Sequence, residues 1–208
     1  MKLVILDRDG VINQESKDFI KSPEEWIALP GSLEAIAKLC RQDYKVIVAT
    51  NQSGVGRGLF SVDTLNKIHT RMLDRVNKKG GAIEAIFFCP HGPEQECGCR
   101  KPRAQLYRDI ESRLKASLAG VPSVGDSLRD IQAAKTVNAL PILVRTGNGK
   151  QTEDDLKNKD GKVILDDVQI PVFDDLASFT SALIRGQLNQ KMSELSMGPT
   201  KETQPHHQ

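Results

Sequence analysis

The sequence predicts an α/β domain, with a parallel sheet covered by helices on both faces. Three observations carry that prediction. Short apolar runs rich in β-branched residues recur along the chain, helix-like segments alternate with them, and 208 residues suffice for one such domain with a substantial core.

The first strand, residues 3–6, is the run Leu-Val-Ile-Leu, and it stops at Asp7-Arg8-Asp9-Gly10. A helix follows over 32–41. The second strand, 46–49, leads into Thr50-Asn51-Gln52-Ser53. Ser61 is suited to cap the longest helix, 61–79, and Gly80-Gly81 to end it. The third strand, 83–88, enters a cysteine-rich segment, and a helix over 104–116 follows Arg100-Lys101-Pro102. The fourth strand, 121–124, opens onto Gly125-Asp126-Ser127-Leu128-Arg129-Asp130, with a helix over 128–137. Residues 140–144 supply a fifth strand, and Asp174-Asp175 start a last helix running to about Ile184. Residues 1–185 are read as one domain and 186–208 as a polar, disordered tail. Two histidines in that tail, His206 and His207, are read as solvated rather than metal-binding.

A formal net charge of +2, with Lys and Arg dispersed, disfavours nucleic acid as the main partner, because phosphate-backbone binding needs a clustered basic surface. An aromatic content of 4% disfavours stacking on bases. No apolar stretch approaches the roughly 20 residues needed to span a bilayer, and no signal-peptide pattern precedes the first strand. A cytoplasmic monomer is expected, away from membranes. In that compartment the four cysteines stay reduced, which favours metal binding over disulfides.

Four polar segments thus follow four strands, and ligands of open α/β sheets bind outside the strands' carboxyl ends. A phosphate monoester is a dianion that repels a bare carboxylate. A nucleophilic aspartate therefore needs a cation to neutralise the phosphate and donors to hold its oxygens. Asp7 and Asp126 can share one hard ion, and Mg²⁺ suits a site with few carboxylates that is completed by water and phosphate. Lys101 offers an ammonium and Thr50 a hydroxyl. The structural alternatives are ordinary ones: Asp126 and Asp130 as helix caps, Thr50 as a strand-end hydroxyl and Lys101 as a surface lysine.

Cys89, His91, Cys97 and Cys99 gather three thiols and one imidazole within eleven residues. That donor set matches a closed, structural zinc site. The C-x-H and C-x-C spacings are tighter than usual, so a redox pair at Cys97 and Cys99, or an unliganded loop, stays open. Cys99 lies two residues before Lys101, so a metal-pinned loop would fix where that ammonium points. Cys40 is read as a small core residue.

In this order, the acid pair, threonine, lysine and second acidic pair resemble the haloacid dehalogenase-like phosphatases over about residues 1–180. The resemblance implies a Rossmann-like doubly wound sheet. It also implies that Asp7 attacks phosphorus, that Asp9 is the general acid and then base, and that Thr50 and Lys101 stabilise the phosphoryl group. The Asp9 backbone carbonyl would join Asp7 and Asp126 on Mg²⁺, and Asp130 would orient Lys101 or a metal-bound water. About 40 residues between Asp9 and Thr50, and a short cysteine loop before Lys101, leave no room for a cap domain.

The cap-free pattern, C-x-H and C-x-C running into C-R-K-P, and T-N-Q-S-G-x-x-R-G at 50–58 resemble the D-glycero-D-manno-heptose 1,7-bisphosphate 7-phosphatases. That family acts in making the activated heptose of lipopolysaccharide core. A sugar bisphosphate keeps a second anionic end bound, for which Arg57 and Arg100 are candidates, with Asn51, Gln52 and Ser53 near the sugar or phosphate. The segment 13–18 is a further candidate contact. Histidinol-phosphate phosphatases share the acid pair and cysteine loop and form the alternative. A zinc-stabilised interaction module with a degenerate site, and a nucleic-acid 3′-phosphatase, are the more distant ones.

Overall fold

The computed structural model describes residues 1–196. In chain order its elements are β1 (Lys2–Leu6), α1 (Ser32–Cys40), β2 (Tyr44–Asn51), α2 (Ser53–Gly56), α3 (Val62–Lys78), β3 (Ala85–Cys89), α4 (Gln105–Leu114), β4 (Pro122–Gly125), α5 (Leu128–Lys135), β5 (Leu140–Val144), α6 (Gly149–Leu156), β6 (Ile164–Leu165), β7 (Val168–Gln169), β8 (Val172–Phe173), α7 (Leu176–Ile184) and α8 (Asn189–Ser196). Six strands form one parallel sheet in the order β3-β2-β1-β4-β5-β8. β6 and β7 make a separate two-stranded antiparallel ribbon.

Both faces of this sheet are buried, so alternate residues of one strand enter different cores. Val4 and Leu6 of β1 join Val46 and Val48 of β2 beneath Ile36, Ile68, Met72 and Phe179, which come from α1, α3 and α7. Leu3 and Ile5 join Ile47 and Ala49 on the other face, beneath Leu106, Tyr107 and Ile110 of α4 and Ala133 and Ala134 of α5. From β1 the chain moves outward through β2 to β3, and from β4 it moves the other way through β5 to β8. The topological switch point therefore falls between β1 and β4, where doubly wound sheets place their ligands.

The predicted strands and long helices all form, with ends displaced by no more than two residues. Ser61 caps α3 through a 3.1 Å bond from Thr64 N–H. The edge strand β8, the β6–β7 ribbon and helix α6 are additions, since each is too short or too polar to stand out as a periodic pattern. The expectation of disorder from Gly186 is corrected over 186–196; residues 197–208 lie outside those described. Leu188 is buried, and α8 packs Met192 and Leu195 against the main core. These three residues recur at helical spacing within otherwise polar sequence. Gly120, at φ +73°, makes the docking possible, because a Cβ there would meet the Met192 carbonyl oxygen at 2.2 Å. His206 and His207 lie outside the described residues. Among those described, no helix is long and apolar enough to cross a membrane.

Candidate active site

β1 and β4 pair in parallel with Leu6 opposite Val124, and the Asp7 N–H donates to the Val124 carbonyl at 2.9 Å. Asp7 and Asp126 consequently emerge side by side at the switch point. Carboxylate oxygens of Asp7, Asp126 and Asp130 lie within 4.8 Å of one another, all three residues buried. Asp126 Oδ2 accepts from Asn148 N (2.8 Å) and Nδ2 (3.1 Å), whereas its buried Oδ1 has no partner. An orphaned anionic oxygen at such a site is costly unless a cation completes it. Gly10, at φ +78°, runs so close that a Cβ would meet Asp126 Oδ2 at 2.1 Å.

Lys101 is buried at the floor of the site. Its Nζ lies 3.1 Å from Asp7 Oδ1 and 2.5 Å from Asp130 Oδ1, and donates to the Ala49 carbonyl at 2.8 Å. Burial would discharge the ammonium, but Asp130 and Asp7 hold its pKa above the usual lysine range. Burial pushes Asp7 up to about 7 despite Lys101, and burial together with Asp130 pushes Asp126 to about 7. For Asp130, burial is outweighed by Lys101, and its carboxyl sits below the usual range. Ser127 N–H and Oγ both donate to Asp130 Oδ2, so this residue caps α5 as well as holding the lysine.

Asp9 is anchored from three sides. Arg8 Nη2 lies 2.9 Å from both carboxylate oxygens, Asn13 Nδ2 donates to Oδ1 at 2.8 Å, and Gln52 Nε2 donates to Oδ2 at 2.8 Å. Burial raises its pKa, but Arg8, Asn13 and Gln52 outweigh that and hold it below the usual range. Asn13 is itself fixed by the buried Trp26, whose Nε1 donates to Asn13 Oδ1 at 3.0 Å. Arg8 folds under the site at 1% exposure, with Nη1 3.4 Å from His69 Nε2. Burial and the Arg8 charge push His69 down to about 3, so the ring is neutral.

These groups floor a cavity of about 260 Å³ lined by Asp7, Asp9, Thr50, Arg100 and Arg129 with the loop at 15–20. The expected residues Asn51, Gln52 and Ser53 line it too, yet two of them are already engaged. Asn51 exchanges two hydrogen bonds with the Lys101 backbone, at 3.0 and 3.1 Å. Gln52 bridges Asp9 and Thr50 Oγ1, which accepts from it at 2.9 Å and keeps its own hydrogen for the cavity. Arg57 is exposed at the rim and does not line the cavity; its guanidinium lies 5.9 Å from the centroid of the Phe19 ring, which does.

Beside the cavity, β3 ends level with Asn51 and delivers Cys89. Cys89 Sγ is 3.5 Å from Cys97 Sγ, 3.2 Å from Cys99 Sγ and 3.6 Å from His91 Nδ1, with His91 Nδ1 3.3 Å from Cys99 Sγ. Ligand bonds of about 2.0–2.3 Å at tetrahedral angles separate donor atoms by roughly 3.5 Å, so the cluster has the dimensions of a tetrahedral metal cage. All four thiols of the chain are free. Cys40 lies apart, partly buried against the main core.

Arg8, His69 and Arg129 were not legible as site residues. Arg8 occupies the position between two motif acids and reads as a spacer. His69 belongs to the apolar face of α3. Arg129 carried the one available signal, a cation inside the second acidic motif.

The fold and this constellation define a haloacid dehalogenase-like phosphatase. A family model described as HAD-hydrolase-like matches residues 98–170. The D-glycero-beta-D-manno-heptose-1,7-bisphosphate 7-phosphatase of Bordetella bronchiseptica is 60% identical over 152 residues, 73% of this chain and 85% of that protein. Its Neisseria meningitidis counterpart is 45% identical over 185 residues, 89% and 96% of the two chains. A crystal structure of the D,D-heptose 1,7-bisphosphate phosphatase of B. bronchiseptica, complexed with magnesium and phosphate, matches with a TM-score of 0.82 and 52% identity, over 89% of this chain and 99% of that one. The chain belongs to the D-glycero-D-manno-heptose 1,7-bisphosphate 7-phosphatase family.

Proposed function

We propose that this protein is a Mg²⁺-dependent phosphatase that removes the C7 phosphate of D-glycero-D-manno-heptose 1,7-bisphosphate in the cytoplasm, toward the activated heptose of lipopolysaccharide core. The observation that carries the chemistry is the buried Asp7–Asp126 pair with Asp126 Oδ1 left free. Mg²⁺ held there by Asp7, Asp126 and the Asp9 carbonyl would neutralise the phosphate dianion.

Asp7 Oδ1 is occupied by Arg8 N–H at 2.7 Å and by Lys101, which leaves Oδ2 to attack phosphorus. The Asp7–phosphorus bond forms as the phosphorus–O7 bond breaks, and Asp9 gives its proton to the leaving alkoxide. An arriving phosphate dianion favours the protonated form of Asp9 needed for that step. Asp9, ionised by that step and kept so by its depressed pKa, then takes a proton from water as it hydrolyses the aspartyl-phosphate. Lys101 and the Thr50 hydroxyl balance charge on the transferring group. Asn51 and Gln52 act by holding Lys101, Thr50 and Asp9, and Ser53 and Arg100 face the substrate.

Cys89, His91, Cys97 and Cys99 hold a structural Zn²⁺, supported by the donor set and its dimensions; such thiols suit a reducing compartment. The test is phosphate release from the heptose bisphosphate by wild type and by Asp7→Asn. The variant should fold and be inactive. Equal turnover of histidinol phosphate by wild type would overturn the substrate assignment.

A further inference from the structure

Arg129 stands in the first turn of α5, half-buried, and lines the same cavity as Arg100. Four acids bear on it: Glu15, which lines the same cavity, and Asp130, Asp7 and Asp126, which are engaged elsewhere. Asp130 is bound by Lys101 and Ser127, Asp126 Oδ2 by Asn148, and Asp7 Oδ1 by Arg8 N–H and Lys101. Among the described residues, none of the hydrogen bonds or ion pairs made by these acids comes from Arg129, so its fork of five N–H donors is open to the cavity. Arg100 is tethered at one end only, by Nη1 donating to the His91 carbonyl at 3.2 Å. The two guanidiniums repel, and of the charged groups around Arg100 it is Arg129 that acts on it most strongly. Two partly desolvated like charges on one wall repel, and an anion held between them would add to the compensation that Glu15 gives Arg129.

We propose that Arg129 is a substrate-specificity residue that, with Arg100, clamps the phosphate of the sugar bisphosphate that is not hydrolysed. This rests on the function proposed above. The transferring phosphoryl group already has Asp7 and Thr50 in the cavity lining, with Lys101 in contact with Asp7, whereas the second phosphate needs cations away from them. A guanidinium matches its oxygens two at a time. Arg57, at the rim, then contributes mainly long-range attraction.

The test compares the heptose 1,7-bisphosphate with the 7-monophosphate, which lacks the second anion, in wild type, Arg129→Ala and Arg129→Lys. Losing a charge-assisted bidentate contact should raise KM for the bisphosphate ~10–100-fold in Arg129→Ala, with kcat changed far less, and lower the bisphosphate-to-monophosphate ratio of kcat/KM at least tenfold. Arg129→Lys should recover part of that ratio. An equal loss on both substrates would place Arg129 at the transferring group and overturn the clamp, and so would an unchanged ratio. Absence of wild-type turnover on the bisphosphate, with activity on another phosphate ester, would overturn the functional reading itself and the clamp with it.

Discussion

Lys101 Nζ lies 3.1 Å from Asp7 Oδ1, although the two residues arrive from separate motifs: Asp7 from the end of a central strand, Lys101 from the loop that leaves the cysteine cluster. The ammonium also serves Asp130, so one buried cation faces two carboxylates. Without the ammonium, both buried acids lose the cation in contact with them.

Lys101→Met should therefore do two kinds of damage. Turnover should fall by roughly 10²–10³-fold, the scale for removing one preorganised charge donor. Folding stability should fall by about 3–5 kcal/mol, because Asp130 is left as an uncompensated buried charge. Steady-state kinetics and urea unfolding measure the two separately. A Lys101→Met,Asp130→Leu double variant should recover stability but not turnover; recovery of both would disprove the role given to the lysine.

Mg²⁺ binding should release protons on the acid side of neutrality. Burial raises Asp7 and Asp126 to about 7 in the metal-free protein, so both are largely protonated at pH 6, and the ion must displace those protons. Affinity should climb with pH and level off above about 7. Calorimetry in buffers of different ionisation heat should find proton release at pH 6 and almost none at pH 8. Asp126→Asn should weaken Mg²⁺ by more than the ~10–100-fold typical of disturbing a residue that merely supports a ligand.

His69 should make the protein lose stability in mild acid. Its folded pKa of about 3 lies below the ordinary 6.5, so between those values the unfolded chain carries a proton that the fold refuses. Stability should drop by up to about 1.4 kcal/mol for each pH unit below 6.5 from this group alone. In His69→Gln, urea midpoints measured from pH 7 to pH 5 should fall less steeply than in wild type. Parallel curves would exclude His69 as the source.

What the sequence made legible were the groups announced by local pattern. Asp7 and Asp126 could be paired because each follows an apolar run, and parallel strands bring such ends together. The cysteine loop was legible because four soft ligands seldom crowd into eleven residues by chance. Arg8, His69 and Arg129 were not, because their roles depend on the third dimension. Arg8 matters because it turns inward beneath Asp9, and His69 because α3 lays it against that guanidinium. Arg57, in its Gly-rich loop, stands over Phe19 at the cavity rim, a position the loop sequence does not announce. The ordered α8 was hidden by a polar composition that masked a three-residue apolar stripe.

If the cysteine cage holds the zinc proposed for it, removing that ion should reach the active site through Lys101. Cys99 and Arg100 immediately precede it, Arg100 bonds back to His91, and the Lys101 backbone is tied to Asn51. Cys97→Ser replaces one donor while leaving the Lys101 environment chemically intact. That variant should lose the roughly one zinc per chain expected of wild type purified without chelator, and it should be less stable. Its kcat should fall with little change in the Mg²⁺ requirement, since Asp7 and Asp126 sit on strands that the loop does not hold. A Mg²⁺ requirement that rose in step with the loss of kcat would mean that the loop supports the metal aspartates instead of the lysine.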